Sequence, residues 1–229
     1  MRRERAHRAA ARPERFRLKQ QRSLLNAKTV FLNIPYDRKY EPLYLAFIAG
    51  LCGFGLIPHA TVEITGSARR LDRIISLIRR CRYSFHDLSR VQLDRTRPST
   101  PRFNMPFELG LAVARAKNQR GTHEWFVFEA LPHRLKKSLS DLDGTDPYIH
   151  QSTWQGVLRA LANALSRTSN PPAPSELSEI YRDLRKAARE IKDKLDGGSL
   201  FEARPFKELV VFAGMSARER IASLKKSLR

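Results

Sequence analysis

No stretch of this chain approaches the roughly 20 consecutive apolar residues that a membrane-spanning helix needs, so no spanning segment is expected. Cysteine is nearly absent. Cys52 and Cys81 both sit in apolar surroundings, which excludes a disulfide framework and fits two buried, reduced thiols. No third ligand accompanies His59 and His86, so no metal site is expected. The glycine motifs that cradle phosphates, G-x-G-x-x-G and Walker A, are missing. Aromatic residues do not interleave with basic ones as an RNA-stacking surface requires.

Acid is scarce relative to base. There are 43 Lys plus Arg against 23 Asp plus Glu, a formal charge of +20. Such an excess steers negatively charged ligands towards the protein and favours weak association with polyanions, nucleic acid included. Residues 1–27 carry repeated arginines without apolar periodicity and read as a basic flexible arm, the natural carrier of that association. No apolar core follows MRRERAHRAAARPERF, so a secretory leader is not expected and a cytoplasmic location is.

The remaining chain alternates short apolar runs with helical periodicities. TVFLN (29–33), FGLIPHA (54–60), the start of RYSFHDLSR (82–90), HEWFVFEA (123–130) and YIH (148–150) read as strands. Helices are expected over 43–52, 69–80, 104–118 and 153–165, with a short one in 131–148. In 69–80, Leu71, Ile74, Ile75 and Ile78 share one face with arginines opposite. Strands alternating with helices indicate a doubly wound parallel α/β sheet over residues 28–168. SRTSNPPAPS (166–175) reads as a linker. Beyond it, 175–229 reads as a helical tail: a charged helix over 175–195, weakly capped around Ser175, and then a helix pair or a strand and a helix over 206–228. The narrow stripe of Leu177, Ile180, Leu184 and Ala187 suits docking or a homo-oligomer.

In open parallel sheets, ligands bind beyond the carboxyl ends of the strands. The loops 33–42, 61–68 and 87–103 fall on that edge and hold the polar candidates. Glu108 follows a proline-braced loop in the first turn of its helix, where free amides and the macrodipole favour an anion. It reads either as an exposed cap or as a reactive carboxylate. Asn104 is a plausible N-cap for the same helix, and Gly110 leaves room for close approach. Asp87 ends the third strand, while Asn33 and Tyr36 follow the first.

The motifs FLNIPYD, CRYSFHDLSR, RFNMPFELGLA and a later S-D-x-x-G-x-D (140–146) resemble those of a bacterial family of unassigned activity, over residues 29–165. That family resembles the nucleoside 2-deoxyribosyltransferase-like and TIR-like α/β domains. The resemblance implies a flavodoxin-like sheet of order 2-1-3-4-5 with a C-terminal helical appendage. It implies that Glu108 is the catalytic glutamate and Asp87 the acid that contacts the base or assists proton transfer. Tyr36 matches the aromatic hydroxyl near the nucleophile, and Glu63 the acidic residue after strand two. RPSTPRFNMP replaces the aspartate-serine-glycine run of the deoxyribosyltransferases, which shifts the expected substrate away from a deoxynucleoside.

Together these features point to cleavage or transfer of an N-glycosidic bond. Asn33 and Tyr36 would orient the sugar, Arg90 and Arg102 would hold a phosphate bidentately, and Glu63 and Asn104 complete the substrate-binding candidates. NAD or a nucleotide would be the substrate, with no resident cofactor. Two other classes stay open: a nucleotide-sensing, self-associating TIR-like module without turnover, and a nucleic-acid-associated protein that uses the basic arm.

Overall fold

The computed structural model describes residues 27–64, 70–91, 97–118, 121–142, 144–195 and 198–227. The basic arm therefore lies outside the described residues except for Ala27, as do 65–69 and 92–96 of the two loops. The order of elements is β1 (Thr29–Asn33), α1 (Glu41–Gly53), β2 (Ile57–Ala60), a 3₁₀ turn (Thr61–Glu63), α2 (Arg70–Arg80), β3 (Tyr83–Asp87) and α3 (Asn104–Asn118). Then follow β4 (Glu124–Glu129), α4 (Arg134–Ser138), a second 3₁₀ turn (Ser140–Leu142), β5 (Tyr148–Ile149), α5 (Trp154–Ala164), α6 (Pro174–Asp193) and α7 (Ala203–Ser227).

The five strands form one parallel sheet of order β2-β1-β3-β4-β5. This is the flavodoxin-like doubly wound topology with extra C-terminal helices. Alternation along the strands separates two cores. Val30, Leu32, Phe85 and Phe128 point to the α1 side, while Phe31 and Val127 point to the side covered by α2 and α3. The register sets Asn33 beside His86 and Asp87 beside Phe128, so the carboxyl edge presents Asn33, Ala60, Asp87 and Glu129.

Helix α1 is buried from Leu43 to Gly53 without a break. One face lies on the sheet and the others are covered by α5, α6 and α7. An amphipathic helix needs an apolar stripe; a helix covered on all sides needs apolar residues all round, and LYLAFIAGLC supplies them. Gly50 and Gly53 sit where α5 and α6 approach closest. A Cβ at Gly50 would fall 2.5 Å from Leu161 Cδ1, and one at Gly53 2.5 Å from Leu177 Cδ2.

The tail differs from its expectation. Residues 206–228 do not divide into two elements; they lie almost wholly within the single helix α7. Leu177, Ile180 and Leu184 of α6 are buried in the α1-side core, so the stripe read as a docking face is spent inside the chain. Helix α6 starts at Pro174, and Glu176 rather than Ser175 caps it, accepting the Ala173 N–H at 2.5 Å. Lys192 fastens α6 to the start of α1 through Glu41, at 2.6 Å.

The sharpest close approach lies between β5 and α5. Gln151 and Ser152 both take left-handed conformations, φ 54° each, and Thr153 Oγ1 then accepts the Gly156 N–H at 3.0 Å. A Cβ at Gly156 would fall 1.9 Å from the backbone oxygen of His150. Backbone cannot yield as a flexible side chain does. Gly156→Ala should therefore destabilise the protein by about 3 kcal/mol, against the modest gain that alanine gives an unconstrained helix. Denaturant unfolding measures it; a variant as stable as the parent would contradict the packing described.

Candidate functional site

Two polar groups lie at the carboxyl edge, one on each face of the sheet. On the α3 side, Asn33 Nδ2 donates to Met105 O and to His86 Nδ1, both at 3.0 Å. This ties β1, β3 and the start of α3 together. Because His86 Nδ1 accepts, the ring proton belongs on Nε2, and that buried atom has no partner among the described residues. Burial drives the His86 imidazole down to about 3, so the ring is neutral across the physiological range.

Glu108 stands one turn beyond Met105. It is the fifth residue of α3, past the first-turn amides that were expected to stabilise its anion. Nor is it a solvated cap: only 6% of it is exposed, and its Oε2 is buried without a hydrogen-bond partner among the described residues. Burial pushes its carboxyl up to about 7, with the Arg70 guanidinium pulling the other way. The charge of Glu108 is also felt by the Tyr36 phenol, which burial raises far above its ordinary range. Tyr36 thus keeps its proton, donates to Leu32 O at 3.3 Å and accepts from Thr61 Oγ1 at 3.5 Å.

On the α1 side, Asp87 is fully buried and its oxygens are taken. Tyr40 donates its hydroxyl to Oδ2, and the Ser89 N–H donates to Oδ1 at 2.7 Å. His150 Nε2 approaches Oδ2 to 3.1 Å, a close contact poorly aligned for a hydrogen bond. His150 Nδ1 accepts the Ser152 N–H at 3.1 Å, which assigns the proton to Nε2, facing the carboxylate. Glu129, next along the edge, is buried and its carboxyl raised by that burial, although Arg134 lies 3.7 Å away.

The other predicted residues lie around these groups. Glu63 accepts the Ala60 N–H at 2.9 Å and meets His59 Nδ1 at 3.2 Å. Burial alone would raise its carboxyl, but those bonds and the Lys207 charge hold it below the usual range. Arg90 is half-exposed and lies 3.6 Å from Asp37. Arg102 and Asn104 are exposed, and Asn104 is the first residue of α3. Tyr40, His86, His150 and Glu129 were not singled out as partners of the carboxylates. His150 lies outside any motif, and only the sheet order brings it to Asp87.

No family model matches the chain, and no curated protein matches it in sequence. Among the described residues, no three His, Cys, Asp or Glu side chains gather as a metal site, and no helix is long and apolar enough to cross a membrane.

The raised carboxyl of Glu108 has a stability consequence. Between 4.5, its ordinary value, and about 7, the folded state holds a proton that the unfolded chain has released. Stability therefore falls as the pH rises through that window, by up to about 3 kcal/mol. Glu108→Gln removes the slope. The variant should be the more stable protein above pH ~7, with the advantage fading as the pH is lowered towards the ordinary carboxyl value. Urea unfolding at both ends of the range reads the difference, and an advantage independent of pH would refute the assignment.

Proposed function

We propose that this protein cleaves or transfers the N-glycosidic bond of a nucleotide or NAD-like substrate, with Glu108 as the reactive carboxylate. One observation carries the reading: a buried carboxyl with an unpartnered oxygen, raised to about 7, at the carboxyl edge of a doubly wound sheet. A structural carboxylate at such depth would normally be satisfied by neighbours.

The chemistry follows from charge. As the bond from the anomeric carbon to the base nitrogen breaks, its electron pair leaves with the base and the sugar becomes cationic. Ionised Glu108 stabilises that cation or closes on it as an ester, and water or an acceptor then takes the sugar. The departing base gains a proton from water or an acid. Asp87 is not available to touch the base directly, since its oxygens are engaged. Its part is to position Tyr40 and His150 at the same edge. Asn33 and Tyr36 support the sugar side, with Arg90, Arg102 and Asn104 on the open rim. NAD and nucleotides enter here as substrates.

The test is base release from a panel of NAD, nucleotides and deoxynucleosides, followed by chromatography. Turnover should appear with at least one phosphorylated substrate and fall about a hundredfold or more in Glu108→Gln. Because the anion is the active form, the rate should decline as the pH drops through about 7. Identical behaviour of the parent and Glu108→Gln across the panel would remove the enzymatic reading.

A second reading, a nucleotide-sensing module that self-associates without turnover, is favoured by the exposed Val211, Phe212 and Met215 of α7. Nucleotide binding without base release, with mass rising with concentration in light scattering, would support it.

A further inference from the structure

Beside the end of β2, on the open rim of the sheet, lies a cavity of about 350 Å³ between β2, α2 and α7. Arg73 and Arg80 line it from α2, Lys207 from α7, and His59 and Glu63 from β2 and the turn that follows. Arg80 and Lys207 bring exposed permanent cations to the wall beside one carboxylate, Glu63. That carboxylate is already bonded to the Ala60 amide and to His59, and is further compensated by Lys207. Ser76 adds a hydroxyl to the wall. The Arg80 guanidinium, the Lys207 ammonium and the Ser76 hydroxyl within one concave site are a donor set for the oxygens of a phosphate or diphosphate.

Arginines recur along α2 at positions 70, 73 and 80, spacings that keep them near one edge of the helix. The first of them acts on Glu108, and the other two line the cavity. We infer that this cavity is a binding site for the diphosphate group of a nucleotide. The link from the cavity to Glu108 rests on the function proposed above; occupancy of the cavity by a diphosphate does not.

Inorganic pyrophosphate is the probe, titrated by calorimetry into the full chain at physiological ionic strength, where diffuse attraction is screened. Saturable binding is expected, weakened about tenfold or more in Arg80→Gln/Lys207→Gln. A charge-matched control, Arg159→Gln/Lys194→Gln at exposed positions that do not line the cavity, should bind like the parent. Both pairs are exposed, and thermal melts matching the parent are the check that folding is intact. Equal weakening in the two double variants, or no saturable binding by the parent, would overturn the site. Addition of ADP separates the sources: displacement of pyrophosphate identifies a nucleotide diphosphate, whereas undisturbed pyrophosphate overturns the nucleotide assignment. The readout does not involve turnover, so a catalytically silent Glu108 would leave its outcome untouched.

Discussion

Everything in this molecule is arranged around the need to cover α1. A helix that is apolar on every side cannot rest on a sheet alone, because at least half of its surface would remain in water. Helix α5 covers part of it, and α6 and α7 complete the cover. The C-terminal helices are thus a third layer of the α1-side core, sharing its side chains with β1 and β3. Tyr44 shows the integration: its hydroxyl donates to Leu200 O at 3.0 Å, and its ring meets Phe201 and Phe206. The loop that carries Tyr36 and Tyr40 enters α1, so the position of those phenols depends on the same packing.

The two faces of the sheet give the edge two electrostatic characters. Asp87 is held in a closed shell of donors, whereas Glu108 is desolvated without receiving equivalent bonds. Two carboxylates of one sheet edge thus sit in different surroundings, one bonded by neighbouring donors and the other not. The parity of a β-strand does the sorting. Asn33 and His86 point to the α3 side, and Asp87, one residue on, points to the other.

Much of the fold was legible in periodicity. The α3 boundaries, Asn104–Asn118, and the alternation of strands and helices follow from apolar spacing and the Pro106 signal. The apolar run FGL extends the expected second strand to 54–60, yet Gly55 turns the chain at φ +72° and the strand begins at Ile57. A narrow stripe reveals that a helix face will be buried, but not whether its partner lies in the same chain. The candidate carboxylates were visible as positions, whereas their environments were not. The environment of Glu108 is set by tertiary placement, which brings the charge of Arg70 and the phenol of Tyr36 from remote parts of the chain within its electrostatic reach. His150 reaches Asp87 only because β5 is placed beside β4 and a turn with two left-handed residues follows.

The all-round burial of α1 also bears on how the protein is made. Helix α1 ends at Gly53, whereas α6 begins only at Pro174 and α7 runs to Ser227. At ordinary elongation rates an apolar helix therefore waits, only partly covered, on the order of 10 s before its last partners emerge from the ribosome. The newborn protein must pass through an interval in which its most hydrophobic element is exposed, and a chain stopped at the 166–173 linker would never leave it.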